Sequence, residues 1–380
     1  MAFTPRVAAL RPPVPVGEDP AFLTDQLITC LGNKRALLPQ IAAAVGQVKR
    51  RLGKRRLRCL DAFSGSGVVS RLLKAHAEHL VSNDQEDYAA IVGRCHLTNR
   101  RDVDEPALAE CVAAIEARMD RGDLPPGFIA ELYAPRDETR ITAADRVFYT
   151  RANARRLDDY RRLIDTAPAG YRDLLLGPLL SAASIHANTA GVFKGFYKNR
   201  ATGIGQFGGT GGDALARIRG PIRLAPPVLS RYDCACTVMQ CDANEAVRLV
   251  GGLDLAYFDP PYNQHPYGSN YFMLNLIANY RRPERISPVS GIPADWRRSG
   301  YNVRSRAAAL LADLVRHADA AFLLVSFNDE GFLAPAEMHA ILEREGTVTV
   351  VEIPYAAFRG SRNLRGRSPR VTERLFLVER

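Results

Sequence analysis

The residues best suited to chemistry are Asp259, Pro260, Pro261 and Tyr262, which follow the apolar segment 253–258. Two prolines cannot donate hydrogen bonds to a neighbouring strand, so a strand over 253–258 must end there and expose its carboxyl end. Asp259 and the carbonyl of Pro260 could accept the two N–H bonds of an exocyclic amino group and direct its lone pair towards attack. Tyr262 offers an aromatic face on which a nucleic-acid base can stack. A plain strand-to-turn boundary would also explain the two prolines.

A glycine-rich turn, residues 64–67, follows the apolar segment 57–63 and opens a helical pattern. In parallel α/β sheets, such turns at the carboxyl ends of strands approach nucleotide ligands closely. Ser70 stands where the dinucleotide fingerprint requires Gly or Ala. Asp84 follows the next strand about 20 residues later, where a carboxylate can bind both ribose hydroxyls. The pattern predicts a nucleoside cofactor without deciding which one, and a helix cap is a second role open to Asp84.

The order of apolar segments predicts an α/β fold with a parallel sheet. A strand over 57–63, a helix over 68–79 and a strand over 80–83 form one βαβ unit, whose right-handed crossover makes its strands parallel. In the carboxyl-terminal half, we predict strands over 237–241, 253–258, 321–326 and 347–353, and helices over 304–317 and 335–345. The final segment, 371–378, follows a loop without a helical pattern, so it should return antiparallel.

Residues 101–231 interrupt this alternation and predict an inserted, mainly helical recognition lobe. Its helical patterns cover 105–119, 146–164 and 171–188, and the glycine-rich segment 203–212 follows. We therefore assign the catalytic domain to residues 21–100 and 232–380. Pro12, Pro13, Pro15 and Pro20 predict that residues 1–20 form a flexible tail.

The composition is that of a globular protein with a nucleic-acid partner. The 380 residues are 47% hydrophobic and 24% charged, and the formal net charge is +10. Only six of the 51 basic residues are lysines, and arginine suits phosphates and guanine edges, although a coding bias would give the same excess. Seven cysteines without a C-x-x-C pair predict neither a disulfide framework nor a metal site. Without a membrane-length apolar run or a signal-peptide core, the protein is expected to be cytoplasmic.

Together these motifs resemble those of the adenine-specific DNA methyltransferases, over most of residues 26–380. The turn that contains Asp61, Phe63, Ser64, Gly65 and Gly67 is similar to the family's cofactor loop. Residues 259–262 match its catalytic tetrad, and residues 31–35 resemble its upstream motif. The following string, 263–271, matches a subset that includes restriction-system modification enzymes. The resemblance implies that S-adenosylmethionine is the cofactor and that a flipped adenine in duplex DNA is methylated on N6.

The resemblance also implies a Rossmann-like methyltransferase fold, with a seven-stranded, mostly parallel sheet and an antiparallel last strand. By this resemblance Asn33 and Lys34 hold the methionine part of the cofactor, and Asp242 faces its adenine end. Structural alternatives exist for all three: Asn33 and Asp242 could cap helices, and Lys34 could be solvated. Residues 326–331 resemble the family segment at the rim of the target pocket.

Two basic segments and the end of the tetrad string are expected to contact DNA. Lys194 and Lys198 lie among aromatic and glycine residues in 191–198, and Asn270 and Tyr271 end the tetrad string. The second basic segment, 359–367, contributes Arg359, Arg362, Arg365 and Arg367. Each basic segment could instead be a solvated face. The lone histidines His186 and His265 are expected to be structural.

Three other functions are weighed against this one. An RNA adenine methyltransferase would share the chemistry, but the large insert and the tetrad string favour duplex DNA. A nicotinamide-dependent dehydrogenase could use the same glycine turn, yet Ser70 and the tetrad count against it. A non-catalytic nucleic-acid-binding protein would not need Asp259 and Tyr262. The DNA recognition sequence and the oligomeric state stay open.

Overall fold

A seven-stranded sheet is the framework of the molecule. The computed structural model describes residues 15–30, 32–122, 124–209, 211–212, 214–356 and 370–380. The strands are β1 (Leu57–Asp61), β2 (Ala77–Asn83), β3 (Ala235–Met239), β4 (Leu253–Phe258), β5 (Ala320–Asn328), β6 (Thr347–Ala356) and β7 (Arg370–Glu379). Their order in the sheet is β3-β2-β1-β4-β5-β7-β6, and β7 runs antiparallel to the other six strands. The predicted Rossmann-like sheet with an antiparallel last strand is confirmed.

Helices flank the sheet and fill the insert. They are α1 (Pro20–Thr24), α2 (Leu38–Leu52), α3 (Val68–Lys74), α4 (Asp87–Leu97), α5 (Glu105–Met119), α6 (Phe128–Tyr133), α7 (Arg151–Asp165), α8 (Arg172–Ile185), α9 (Leu215–Arg219), α10 (Ala243–Leu249), α11 (Tyr267–Asn270), α12 (Phe272–Asn279), α13 (Arg304–His317) and α14 (Pro335–Glu343). The predicted boundaries of α5 and α13 agree with the structure at both ends. No helix in the described part of the chain is long and apolar enough to cross a membrane.

Apolar side chains cover both faces of the sheet. On one face, α1, α2 and α3 contribute Phe22, Ile41 and Leu72 to a core that contains Leu255 of β4. On the other face, α10, α13 and α14 pack over a second core. Every residue of β4 is buried, as expected for a strand that is covered on both faces. Its one charged side chain, Asp254, accepts hydrogen bonds from Nζ of Lys54 and the N–H of Arg58.

The crossover from β1 to β2 differs from the prediction. The helix α3 ends at Lys74 and β2 begins at Ala77, whereas the local pattern predicted a helix to residue 79. Ala77 pairs with Leu57 of β1, so sheet pairing overrides the local helical preference of residues 77–79. The buried Nζ of Lys74 donates 2.8 Å hydrogen bonds to the carbonyls of Leu97 and Thr98, which fixes this end of α3 against α4.

The inserted region is mainly helical, but it does not have a core of its own. Its buried residues form one cluster with Tyr88 of α4 and Phe272 of α12, both outside the predicted insert. Where α8 crosses α4, a Cβ on Gly177 would lie 2.5 Å from Sγ of Cys95. The insert therefore packs directly on the catalytic part, because its helices need α4 and α12 to bury their apolar faces.

The prediction of a flexible tail over residues 1–20 is wrong for its last residues. Residues 1–14 lie outside the described part of the chain. Glu18 is buried and accepts hydrogen bonds from Oγ of Ser230 and, at 2.9 Å, from the N–H of Arg231. These bonds tie the start of α1 to the end of the insert.

Candidate active site

The glycine turn leads from the carboxyl end of β1 into α3. Gly67 caps α3 with φ 75°, a left-handed conformation that favours glycine. The N–H of Ser64 donates to the carbonyl of Asn83 at 2.9 Å, and the N–H of Gly65 donates to Oδ2 of Asp84 at 2.8 Å. The turn is therefore shaped by the end of β2, which lies beside it in the sheet.

Asp61 lies beneath this turn and is fully buried. Oγ of Ser70 donates a 2.6 Å hydrogen bond to Oδ2 of Asp61, and Ser82 lies 2.9 Å beyond. Burial raises the pKa of Asp61 to about 7, although the Ser70 hydroxyl opposes this shift. Ser70, which departs from the dinucleotide fingerprint, is thus the hydrogen-bond partner of a buried acid.

The carboxylate of Asp84 lies at the junction of the turn and α4. Its Oδ1 accepts a 2.9 Å hydrogen bond from the N–H of Glu86. Burial raises the pKa of Asp84, and its backbone donors oppose that change. Glu86 is buried, and burial and the charge of Asp84 raise its pKa to about 7. Oε2 of Glu86 accepts from Asn275 at 2.6 Å, whereas Oε1 has no hydrogen-bond partner among the described residues.

Asp242 follows β3 and caps α10, because its side chain accepts a 2.8 Å hydrogen bond from the N–H of Asn244. The capping role considered from the sequence is therefore present. The rings of Phe63 and Tyr301 stand perpendicular nearby, with centroids 5.4 Å apart. These residues form the end of the site that lies nearest to β3.

The upstream motif meets the tetrad at Lys34. The alternative of a solvated lysine is excluded: Nζ is buried, 2.9 Å from Oδ1 of Asp259 and 3.0 Å from Oε1 of Glu373. It also donates to the carbonyl of Gly32 at 3.1 Å. Oδ1 of Asn33 accepts from the N–H of Arg35 at 3.0 Å, a local turn contact, whereas the residue that caps the helical turn Arg35–Leu37 is Lys34. Leu31, at the start of this motif, lies outside the described residues.

These contacts set the charge of the tetrad acid. Burial raises the pKa of Asp259 to about 6, Lys34 opposes the shift, and the carboxylate of Glu373 adds to it. Burial alone would lower the pKa of Lys34, but Asp259 and Glu373 hold it well above its usual value. Lys34 is therefore a permanent cation beside Asp259.

Tyr262 is half-buried beside the segment that follows β5. Its ring packs edge-on against Phe327 with centroids 5.7 Å apart, and its carbonyl accepts from the N–H of Phe332 at 2.8 Å. The segment 326–331 thus lies at the tetrad, where the sequence resemblance placed it.

One cavity of about 790 Å³ joins the turn, the acids and the tetrad. The predicted site residues that line it are Asn33, Lys34, Phe63, Ser64, Gly65, Asp84, Asp242, Asp259 and Pro261. Four others, Asp61, Gly67, Pro260 and Tyr262, belong to the same segments without lining it.

Comparisons with known proteins agree with this geometry. Residues 31–289 match the model of the D12 class N6 adenine-specific DNA methyltransferases. The chain belongs to this family. It is 28% identical to the type II methyltransferase M.NlaIII of Neisseria lactamica over 80% of the chain and 84% of that protein. It is 25% identical to M.CviAII of Paramecium bursaria Chlorella virus 1, over 87% and 93%. It is also 25% identical to the modification methylase StsI of Streptococcus sanguinis, over 92% of the chain and 51% of StsI.

The D12 class identity decides among the functions weighed from the sequence. The protein is an adenine-specific DNA methyltransferase, so the dehydrogenase and the non-catalytic binding protein are excluded. DNA rather than RNA is the substrate class that the family supports. Among the described residues of this D12 class enzyme, no group of three or more His, Cys, Asp or Glu could hold a metal ion.

The residues expected to contact DNA differ in whether the structure places them at the surface. Lys194 is exposed, and Nζ of Lys198 lies 5.2 Å from the centroid of the Phe196 ring. Asn270 and Tyr271 are buried, and Tyr271 stacks on Tyr267. Direct DNA contact by these two side chains is therefore contradicted, because their packing in the core removes them from the surface. Arg359, Arg362, Arg365 and Arg367 lie outside the described residues.

The structure agrees with a structural role for His186. His186 is half-buried, and its Nδ1 lies 2.6 Å from the carbonyl of Arg217. His265 is exposed in the tetrad string. Neither lines the cavity.

Sequence reasoning missed several residues of the D12 class site. They are Glu86 and Tyr301 in the cavity wall, Glu373 beside Lys34, and the arginines Arg298 and Arg304, whose segment is hydrogen-bonded to the string that follows the tetrad. The guanidinium of Arg298 lies 4.2 Å from the Trp296 ring, and that of Arg304 lies 4.8 Å from the Phe332 ring. The segment 281–306 holds seven arginines, a charge signal that could have identified it.

Proposed function

We propose that this chain transfers a methyl group from S-adenosylmethionine to N6 of an adenine that is flipped out of duplex DNA. The observation that carries the proposal is the single cavity that connects the glycine turn and Asp84 with Asp259. A nucleoside site and an acceptor for an amino group therefore share one space. A role in a restriction-modification system is proposed from the relatives, which include type II methyltransferases.

The residues of the cavity fit the cofactor. Oε1 of Glu86 is a buried acceptor without a partner among the described residues, in the wall beside Asp84. Each carboxylate oxygen of Asp84 accepts one backbone N–H and has capacity for another donor, such as a ribose hydroxyl. Phe63, Tyr301 and Asp242 would enclose the adenine, and the glycine turn and Asn33 would hold the methionine part. When bound, S-adenosylmethionine supplies an electrophilic methyl group.

The tetrad residues would bind and orient the target amino group. Asp259 and the carbonyl of Pro260 would accept its two N–H bonds, which turns the nitrogen lone pair towards the methyl donor. The rigid Pro260-Pro261 pair holds that carbonyl in place. Tyr262 would stack on the extruded base. Lys34 would hold Asp259 rather than act as the proton donor, because its buried ammonium is paired with both Asp259 and Glu373.

Two arginines extend the proposed DNA interface to the tetrad. Arg298 and Arg304 each stack on an aromatic ring, and neither has a carboxylate partner among the described residues. Their segment is anchored to the tetrad string, because Nδ2 of Asn302 donates to the carbonyl of Asn263 at 2.7 Å. A stacked guanidinium keeps donors for a phosphate oxygen. We propose that they bind phosphates beside the flipped nucleotide, that Lys194 and Lys198 bind DNA further away, and that residues 101–231 are the recognition region.

The test is methyl transfer by Asp259→Ala on duplex DNA, followed by digestion and identification of the modified nucleoside. Activity should be lost while cofactor binding is kept, and Asp259→Asn, which retains one acceptor oxygen, can keep partial activity. Glu337→Ala, an exposed residue of α14 outside the cavity and outside residues 101–231, is the control. Full activity of Asp259→Ala, or methylcytosine as the product, would refute the proposal.

A further inference from the structure

A buried ion cluster links the tetrad to the antiparallel strand β7. Glu373 lies on β7, and its Oε1 is 3.0 Å from Nζ of Lys34. The same oxygen accepts a 3.1 Å hydrogen bond from Oγ of Ser326 on β5. Nζ of Lys34 lies 2.9 Å from Oδ1 of Asp259. One buried ammonium therefore stands between two carboxylates that come from different strands.

The second carboxylate changes the charge balance at Asp259. Lys34 paired with Asp259 alone would form a neutral pair, and its full charge would weaken Asp259 as an acceptor for another donor. With Glu373 included, the cluster keeps a net negative charge. Nζ of Lys34 donates to the carbonyl of Gly32 and forms ion pairs with Asp259 and Glu373, so three groups surround the ammonium. Lys34 is thereby held in place and cannot turn to bind both oxygens of Asp259.

The two oxygens of Asp259 are not equivalent. Oδ1 is buried against Lys34, although the side chain as a whole is 17% exposed and lines the cavity. Oδ2 is consequently the oxygen left for a ligand. Glu373 does not line the cavity, so any effect it has on the reaction must pass through Lys34.

We propose that Glu373 is a positioning residue for methyl transfer. By anchoring Lys34, it keeps Oδ1 of Asp259 fixed, so that Oδ2 accepts the target amino group. The proposal rests on the proposed function of Asp259. It adds a residue from the antiparallel strand, more than 100 positions after the tetrad, to the machinery that orients the substrate.

Other titratable groups surround Asp259 besides Lys34 and Glu373. They are Asp61 on β1, Tyr257 on β4, Tyr262, Tyr267 on α11 and Cys30. Burial raises the pKa of the three tyrosines, and burial raises that of Cys30 to about 12, so all four stay neutral near pH 7. Asp61 is the other group that titrates in this range, but Glu373 is not among the groups that shift it. A change at Glu373 should therefore act on the ionisation of Asp259.

The test compares Glu373→Gln with Glu379→Gln, a control on the same strand whose exposed carboxylate pairs with Arg51. Gln keeps the size and an acceptor for Ser326 but removes the charge. Glu373→Gln should lower kcat by about 10- to 100-fold, with KM for DNA and Kd for S-adenosylmethionine within about twofold of wild type. The acid limb of its kcat profile should shift to lower pH, because loss of a neighbouring negative charge favours ionised Asp259. Glu379→Gln should match wild type.

A second variant covers the case in which Glu373→Gln does not fold. Ser326→Ala removes the hydroxyl that orients Glu373 but keeps the carboxylate, so it should lower kcat by less than Glu373→Gln does. An unchanged kcat and acid limb in a folded Glu373→Gln variant, with Asp259→Ala inactive, overturns the role of Glu373 alone. A loss of kcat matched by equally weaker DNA and cofactor binding also overturns it. A fully active Asp259→Ala overturns the proposed function itself.

Discussion

Oδ2 of Asp84 accepts a 2.8 Å hydrogen bond from the N–H of Gly65, the residue at the centre of the glycine turn. Its Oδ1 accepts a second backbone donor, the N–H of Glu86 at the start of α4. The carboxylate proposed to bind the ribose therefore also shapes the turn proposed to hold the methionine part. The two halves of the cofactor site are coupled through one side chain.

Replacement of Asp84 by Ala should weaken cofactor binding more than loss of the ribose contacts alone would, because the turn loses its anchor. We expect a cost of about 2–4 kcal/mol from charge-assisted hydrogen bonds and the freed backbone donors. Isothermal titration calorimetry with S-adenosylmethionine measures it. Glu78→Ala, an exposed acid on the same strand, should bind normally, and normal binding by Asp84→Ala would remove this assignment.

Loss of the Tyr262 ring should weaken capture of the flipped base. Tyr262→Ala should cost about 1–3 kcal/mol of lost stacking, seen as weaker binding of DNA that carries a fluorescent adenine analogue at the target position. Tyr262→Phe keeps the ring and is the matched control. Equal losses in the two variants would assign the effect to the hydroxyl and contradict a stacking role.

Methyl transfer should decline in acid as Asp259 is protonated. Burial raises the pKa of Asp259 to about 6, although Lys34 opposes this shift. Only the ionised carboxylate can interact with Lys34 through one oxygen and accept the target amino group through the other. The single-turnover rate should therefore be constant above this pKa and fall as the pH drops through about 6. The rate could instead stay constant down to about pH 4, near the pKa of an ordinary carboxyl. That result would show that the pKa of Asp259 is not raised or that its ionised form is not required.

DNA affinity should depend strongly on salt, because arginine contacts with phosphates release counterions. Arg298→Gln and Arg304→Gln should each weaken binding and reduce the slope of log K against log salt by about one, measured between about 50 and 200 mM salt. Arg344→Gln, an exposed residue at the end of α14, is the control. Identical slopes for all three variants and wild type would place the phosphate contacts elsewhere.

The contact between α8 and α4 should be intolerant of a methyl group. A Cβ on Gly177 would lie 2.5 Å from Sγ of Cys95, so Gly177→Ala should lower the free energy of unfolding by about 1–3 kcal/mol through overpacking. Gly170→Ala adds a Cβ with no atom within 4 Å and serves as the control. Urea denaturation of the two variants gives the comparison, and equal stabilities would mean that the helices separate at no cost.

Much of the site was predictable from short stretches of sequence. The strand before Asp259, the stop imposed by Pro260 and Pro261, the glycine turn and Asp84 are local signals, because each reflects backbone constraints or burial within a few residues. The antiparallel last strand also followed from a local fact, the lack of a helical pattern before it. These features place the acid and the turn on the same edge of the sheet.

Only the tertiary structure decided which distant side chains meet. Lys34, Asp259 and Glu373 lie more than 100 residues apart from one another, and they come together because β7 enters the sheet next to β5. Tyr271 is buried rather than exposed because it stacks on Tyr267 within the shared core. A local sequence pattern indicates the secondary structure that a segment prefers. Contacts between distant side chains depend on the order of the strands and on helix packing, and no single segment encodes these.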